Sequence, residues 1–253
     1  MTSRLPHPRR AFVWTWLPDA LDPVVAGQLV VDGDRNVFVY GRSYRERPGA
    51  IALYVPELPL GPETIPPPTG MTMASAIRDG APDAWGRRVI LNRTFGTKDE
   101  ALDGFELDEL VFLLESGSDR IGALDFQASA AEYRPRGGGH ATLEELLASA
   151  EKVERNLPLT PELDEALLHG SSIGGARPKA LITDGSRKLI AKFSSTTDTY
   201  SVVKGEYIAM RLAGLAGLSV APVGLVHVSG KDVLLVERFD RTLDGDRWRR
   251  GSL

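Results

Sequence analysis

The sequence GSSIGGARPKALITDGSRKLIAKF, residues 170–193, decides the fold of the second half of the chain. It opens with a glycine-rich, basic loop over Gly170–Lys179. Two runs rich in apolar residues follow, Pro178–Thr183 and Lys188–Phe193, and the DGS sequence at 184–186 favours a tight turn between them. The stretch therefore predicts a flexible loop that leads into a β-hairpin.

One helix and two further strands are predicted after this hairpin. Glu206, Met210 and Ala213 recur at helical spacing, which places them on one helix face. Ser229-Gly230 is typical of a turn between strands. The predicted segments are Val203–Ala216 for the helix, with Val223–Val228 and Asp232–Glu237 for the strands. The order is thus loop, hairpin, helix, hairpin.

A glycine-rich loop lets the backbone approach a ligand closely, and successive N–H groups can cradle phosphate oxygens. The spacing of Gly170 and Gly175 fits a P-loop, but Ala176 stands where that motif needs a lysine, and the loop lacks the dinucleotide fingerprint G-x-G-x-x-G. The arrangement of a kinase small lobe remains, in which a strand lysine holds phosphates and a helix glutamate pairs with it. Lys192 and Glu206 occupy these two places. The pattern alone leaves open that both are solvated surface residues.

The segments GSSIGGARPKA, LIAKFSSTTDTYSVVKGEYIAMRLAGLAGL and LLVERFDR resemble the HipA family, the serine/threonine-kinase toxins of bacterial toxin–antitoxin pairs. Upstream, DGAPDAWGRRVI and LLESGSDRIGALDF look like the amino-terminal region of that family. The resemblance spans nearly all of residues 10–241. It implies ATP and Mg²⁺ as cofactors and a HipB-like helix-turn-helix antitoxin as partner, with DNA reached only through that antitoxin. It also implies a protein substrate such as an aminoacyl-tRNA synthetase.

The resemblance assigns roles to residues where the motifs match. Ser172 corresponds to the loop serine that family members autophosphorylate, a change that expels the loop and inactivates the kinase. Lys192 corresponds to the phosphate-binding lysine and Glu206 to its helix partner. For Asp240 and Arg241, a structural ion pair and a ligand role both stay open. The loop residues assigned to cover ATP are Gly174, Gly175, Arg177 and Lys179, and those of the segment beside the adenine are Glu237, Arg238 and Phe239.

The sequence departs from the family pattern after ERFDR. The resemblance implies a following large lobe with a catalytic Asp and with Asn and Asp ligands to magnesium. Only Thr242–Leu253 follows here, where Asp244 and Asp246 belong to a DGD segment typical of an exposed turn. We therefore predict no catalytic or metal-binding residue in this chain, and we expect a truncated form with weak or no kinase activity. The alternative is a non-catalytic interaction module that binds the antitoxin.

Upstream of the loop, strand patterns give way to helix patterns. Asp32-Gly33 predicts a hairpin, and the proline-rich Pro56–Gly70 predicts a loop. Thr142 and Glu145 form a capping-box pattern, and Glu132–His140 is the best candidate for a linker. Strands are predicted at Ala11–Trp16, Gly27–Val31, Asn36–Tyr40 and Ala50–Val55. Helices are predicted from Pro82 towards Gly96, over Leu107–Leu114, from Thr142 to about Arg155, and from Thr160 to Gly170.

We therefore expect an α+β fold in three parts. These are a β-rich amino-terminal domain over residues 1–104, a helical connector over 105–160 and a kinase-like small lobe over 161–253. The chain has 253 residues, with 30 Lys and Arg against 34 Asp and Glu, so broad electrostatic binding to nucleic acid is not indicated. It has no cysteine, which excludes disulfides and thiolate metal sites, and its 4 histidines lack metal-binding spacing. Without an apolar run long enough to span a membrane, a cytoplasmic location is expected.

Overall fold

A computed structural model describes residues 7–95, 107–137, 141–168 and 171–251. Its first sheet has the strand order β4-β3-β2-β1-β5, and all neighbouring strands are antiparallel. The strands are β1 (Arg10–Thr15), β2 (Val24–Asp32), β3 (Arg35–Tyr40), β4 (Thr64–Ile65) and β5 (Leu124–Gln127). The hairpin predicted at Asp32-Gly33 is confirmed, since Asp32 pairs with Arg35 and Gly33 has a φ of 63°.

The strand predicted at Ala50–Val55 is wrong. Its backbone is hydrogen-bonded to tyrosine hydroxyls instead of to a neighbouring strand: Leu53 N donates to Tyr40 Oη at 2.8 Å, and Tyr44 Oη donates to Ile51 O at 2.9 Å. Strand β5 was not predicted, and it lies within the segment that we assigned to the connector. It pairs with β1, so the first sheet closes on residues far along the chain.

The helices of the described residues are α1 (Arg42–Arg45), α2 (Ser75–Arg78), α3 (Ala84–Phe95), α4 (Glu109–Glu115), α5 (Leu143–Glu154), α6 (Pro161–Leu168) and α7 (Val202–Leu215). The capping box is confirmed: Thr142 Oγ1 accepts from Glu145 N at 3.2 Å, and Glu145 Oε2 accepts from Thr142 N at 2.8 Å. The predicted end of the α3 pattern, Gly96, lies outside the described residues.

Two apolar cores result. The first lies between the first sheet and α4, with Phe38 and Leu110 at its centre. The second joins α3 and α5 to a second sheet and contains Trp85, Leu146 and Phe193. Helix α3 therefore packs with the second core although it precedes the second sheet by more than eighty residues.

The second sheet has the strand order β6-β7-β9-β8, again antiparallel throughout. Its strands are β6 (Lys179–Asp184), β7 (Arg187–Phe193), β8 (Val223–Val228) and β9 (Lys231–Glu237), so both predicted hairpins are confirmed. Ala180, Ala191 and Phe193 point into the second core. Because side chains alternate along a strand, Lys179 and Lys192 point to the opposite face.

A last hairpin connects the two halves of the molecule. It is formed by β10 (Arg241–Asp244) and β11 (Arg247–Arg250), and the predicted DGD turn lies between its strands. Arg249 forms an ion pair with Asp19 at 3.1 Å, and the guanidinium of Arg250 lies 3.6 Å from the ring centroid of Trp16. The α+β fold class is confirmed, while the proposed division into three domains stays a prediction.

The described part of the predicted linker packs against the first sheet. Tyr133 contacts the rings of Trp14 and Trp16, with centroid distances of 5.4 and 5.2 Å. Arg136 reaches Asp125 at 3.0 Å. Residues Gly138 to His140 lie outside the described residues.

Candidate functional site

The glycine-rich loop is held against the start of α3. Gly175 N donates to Asp83 Oδ2 at 2.5 Å, and the Trp85 indole donates to Lys179 O at 3.0 Å. Gly175 has a φ of 109°, in the region that favours glycine. Gly86 allows the close approach, because a Cβ at this position would lie 1.9 Å from Ser171 O.

Two lysines lie side by side on the face of the second sheet opposite the second core. Lys179 and Lys192 are direct cross-strand partners in the β6–β7 ladder. Lys192 Nζ forms an ion pair with Glu206 Oε1 of α7 at 2.5 Å. Of the two ammonium groups, the one of Lys192 is thus ion-paired with this carboxylate.

Lys179 has an unusual environment for a cation. The residue is 3 % exposed, and its Nζ has no hydrogen-bond partner among the described residues. Burial, and then the charge of Lys192, lower its pKa to about 8, although Asp83 and Glu206 act in the opposite direction. A buried ammonium without partners is costly unless a ligand supplies the missing acceptors. The geometry therefore fits phosphate oxygens beside Lys179 and Lys192.

Ser172 lies in the same loop and is buried. It is 1 % exposed, and its Oγ has no hydrogen-bond partner among the described residues. In this conformation the hydroxyl is shielded from an external phosphoryl donor. A phosphoryl donor could therefore reach this hydroxyl only after the loop had moved.

Arg177 points away from the lysine pair. Its Nη1 donates to both carboxylate oxygens of Asp198, at 2.6 and 2.9 Å. It lines an open cleft of about 770 Å³ between the loop, α3 and the end of α5, together with Arg87. Arg87 is itself paired with Glu109 at 2.6 Å.

The ERFDR segment does not bring its side chains to the lysine pair. Glu237 pairs with Leu189 in the ladder, so its side chain points to the face opposite Lys192. Phe239 is 73 % exposed. The backbone N–H groups of Glu237 and Arg238 already donate to Pro222 O and Lys188 O, at 2.9 and 2.8 Å.

Arg238 belongs to a separate, buried ion-pair network. It pairs with Asp240 at 2.8 Å and with Asp119 at 3.1 Å, and Arg241 binds the same two carboxylates, each at 2.9 Å. Burial would raise the pKa of Asp119, but Arg238 and Arg241 hold that pKa well below its ordinary value. Asp240 and Arg241 thus form the structural ion pair that was one of the two sequence interpretations.

The structure therefore divides the residues assigned from the sequence into two groups. Around the lysine pair it brings together Gly175, Lys179, Lys192 and Glu206, while Gly174 lies beside Asp83 and Ser172 is buried in the same loop. The side chains of Arg177, Glu237, Arg238 and Phe239 lie elsewhere.

Sequence reasoning missed Asp83 and Asp119 as partners of these groups. Each lies in a segment quoted above for its resemblance to the family, DGAPDAWGRRVI for Asp83 and LLESGSDRIGALDF for Asp119. The resemblance identified these segments as parts of the family pattern, but it did not indicate which residues Asp83 and Asp119 contact. The partners are 92 residues apart for Asp83 and Gly175, and 119 apart for Asp119 and Arg238.

Two family models match the chain. A model described as the HipA N-terminal domain matches residues 20–127, and a model described as the HipA-like C-terminal domain matches residues 171–252. Together they cover most of the sequence. The chain belongs to the HipA family. A comparison with curated proteins found no match.

The fold of this HipA-family chain is similar to a solved structure. It resembles a chain in the complex of the toxin–antitoxin system HipA, HipB and its operator DNA from Shewanella oneidensis MR-1, with a TM-score of 0.54 and 20 % identity. The similarity covers 94 % of this chain and 53 % of that chain, so the present chain spans about half the length of the matched one. At this identity the likeness shows the fold alone.

The described residues contain no helix long and apolar enough to cross a membrane. They also contain no group of three or more His, Asp or Glu side chains placed to hold a metal ion.

Proposed function

We propose that this HipA-family chain binds ATP through the lysine pair and the glycine-rich loop, as part of a toxin of the serine/threonine-kinase type. The observation that carries the proposal is the buried, unpartnered Lys179 Nζ beside the Lys192–Glu206 ion pair. Phosphate oxygens would complete the hydrogen bonding of Lys179, and charge-assisted bonds of this kind are strong. Because ATP is an intracellular metabolite, a cytoplasmic location is part of the proposal.

Different residues of the site would contact the phosphates and the base. Lys192 would contact the phosphates, and Glu206 holds its ammonium in place from α7. Lys179 would neutralise phosphate charge from beneath the loop, since a Cβ on Gly175 would lie 2.8 Å from its Nζ. The N–H groups of the loop would bind further oxygens. The apolar side chains of Ile190 and Val236, cross-strand partners on the Lys192 face, would contact the base.

Magnesium is expected from the family, where it neutralises the charge of the phosphates during transfer. We assign no residue of this chain to it, because the described residues present no fitting cluster of ligands. We also assign no proton acceptor for a substrate hydroxyl. We therefore propose weak or no phosphoryl transfer by the sequence as given, with a protein such as an aminoacyl-tRNA synthetase as the substrate class of the full kinase type.

Isothermal titration of the full chain with Mg-ATP tests the nucleotide site. Lys192→Ala and Lys179→Met should each weaken binding by about tenfold or more, since each removes a charged partner of the phosphates. Lys204→Ala is the matched control, because Lys204 pairs with Asp232 at 2.9 Å on a neighbouring part of the same helix and sheet. If the wild type shows no binding, or if the two site variants bind like the control, the proposal is wrong.

A second candidate function is antitoxin binding without catalysis. It is favoured by the similarity to a chain whose structure was solved with HipB and operator DNA. Gel filtration and titration with a HipB-type helix-turn-helix protein, with and without operator DNA, would test it. Lys192→Ala should leave this binding unchanged, whereas loss of both activities together would indicate a folding defect.

A further inference from the structure

The start of α3, with Asp83 before it, contacts the glycine-rich loop at three places. At the start of the loop, Gly86 packs against Ser171 O. In the middle, the Asp83 carboxylate accepts from Gly175 N at 2.5 Å, and Trp85 N donates to Gly175 O at 3.4 Å. At the end, the Trp85 indole donates to Lys179 O at 3.0 Å. One short segment thus restrains the loop at three places.

Trp85 and Gly86 owe their positions to the second core. Trp85 is 1 % exposed and packs among residues of α5 and the second sheet. Gly86 is buried beside it. The restraint is therefore anchored in a rigid part of the molecule, while Asp83 itself is exposed. Side chains on rigid elements position a site more precisely than loops can.

A loop that is already ordered binds more tightly than one that must become ordered. Glycines raise the conformational freedom of a free loop, and this loop contains Gly174 and Gly175. Ordering them when a nucleotide arrives would subtract from its affinity. A fixed Gly175 also keeps Lys179 beneath the loop, since the two are in close contact.

We propose that Asp83 is a positioning residue that holds the glycine-rich loop closed, so that helix α3 of the amino-terminal family region sets the affinity of the nucleotide site. This inference rests on the proposed function for its second half. The restraint of the loop itself does not depend on any nucleotide. Asp83 acts through Gly175 and contacts no phosphate in this proposal.

The main alternative is that Asp83 weakens nucleotide binding. A carboxylate that accepts a loop N–H occupies a place that a phosphate oxygen could take. If Asp83 were such a competitor, its removal would strengthen nucleotide binding. If it positions the loop, its removal weakens that binding. The two interpretations therefore differ in direction.

The first measurement is hydrogen exchange of the full chain without nucleotide. In Asp83→Asn the Gly175 amide loses its charged acceptor, and we expect its exchange to become about tenfold faster. Asp79→Asn is the matched control, because Asp79 is an exposed aspartate just before α3 and no hydrogen bond of its side chain is found among the described residues. Asp83→Glu, which keeps the charge, should restore part of the protection. Unchanged exchange in Asp83→Asn overturns the proposal.

The second measurement compares Mg-ATP with adenosine. Asp83→Asn should weaken Mg-ATP binding by about tenfold and leave adenosine binding unchanged, since the loop faces the phosphates. Trp85→Phe keeps the ring and removes the indole N–H, so it should weaken Mg-ATP binding in the same direction and by less. Tighter Mg-ATP binding in Asp83→Asn overturns the proposal in favour of competition. If the wild type binds no nucleotide, the proposed function fails, and the exchange experiment still decides whether Asp83 restrains the loop.

Discussion

Two charged clusters of this molecule have similar composition and opposite character. The network of Asp119, Arg238, Asp240 and Arg241 is buried, and its cations and anions are matched within the protein. In the lysine pair, Lys192 has an ion pair with Glu206, whereas Lys179 is near the charges of Asp83 and Glu206 but its Nζ has no hydrogen-bond partner among the described residues. Removing one partner from a paired buried network is costly, and a buried cation without hydrogen-bond partners indicates a missing ligand. Motifs of one family pattern thus contain both residues of a structural network and residues that we propose to bind a ligand.

The largest expected effect comes from breaking the matched cluster. Arg238→Ala should lower the free energy of unfolding by about 3 kcal/mol, because Asp119 and Asp240 would each lose one of their two arginine partners and keep only Arg241. Urea denaturation measures it. The control is Arg249→Ala on the exposed pair with Asp244, where a change within about 1 kcal/mol is expected. Equal effects of the two substitutions would contradict the distinction.

Changing the unmatched cluster should act in the opposite direction. Lys179→Met replaces a buried, unpartnered ammonium by an apolar side chain of similar length, and we expect the free energy of unfolding to rise by about 1–3 kcal/mol. The same variant should lose most of its affinity for Mg-ATP. Denaturation and titration of one preparation give both values. A less stable variant would show that Lys179 has a structural role.

The stability difference between the wild type and Lys179→Met should depend on pH. The pKa of Lys179 is lowered to about 8 in the folded state, so the unfolded chain binds more protons between that value and its ordinary pKa of 10.5. The cost of burying the charged Lys179 side chain is fully present below pH 8. It decreases as the pH rises from about 8 to 10.5. Denaturation of both proteins at pH 7 and near pH 9.5 should show the difference shrinking. A constant difference would contradict the assigned environment.

The smallest effect concerns Ser172. Its buried Oγ has no hydrogen-bond partner among the described residues, so Ser172→Ala should change the free energy of unfolding by less than about 1 kcal/mol. Ser172→Asp should open the loop, because a carboxylate cannot be buried there without a partner. Limited proteolysis measures this opening, and we expect faster cleavage of the loop in Ser172→Asp than in Ser172→Ala. Equal cleavage of both variants would contradict the buried placement.

The sequence predicted those turns and helix starts that are determined by residues close together in the chain. Turn residues at Asp32-Gly33 and Ser229-Gly230 identified hairpins, and the Thr142–Glu145 pattern identified the start of α5. Ala50–Val55 was assigned wrongly because its β-type composition does not reveal that tyrosine hydroxyls take its backbone groups. Strand β5 escaped prediction because its pairing with β1 joins distant parts of the chain.

In the candidate site, too, the sequence predicted contacts between nearby residues and missed contacts between distant ones. Lys192 and Glu206 lie 14 residues apart, within the reach of a pattern that combines one strand and the next helix. The roles of Asp83 and Arg238 depend on partners about a hundred residues away. No spacing rule connects such positions. Motif order therefore indicated the lysine pair, while the restraint of the loop and the buried network required the structure.

The hairpin formed by β10 and β11 has a consequence for how the molecule assembles. Its contact between Arg250 and Trp16 joins segments that are made at very different times during synthesis. The first sheet can form while Trp16 still lacks this partner, since domains generally fold as units from the amino terminus. The stacking contact then arises only when both halves have folded and docked. This contact would therefore form in the last step of folding, and in Arg250→Ala we expect the two sheets to fold normally and to dock more slowly.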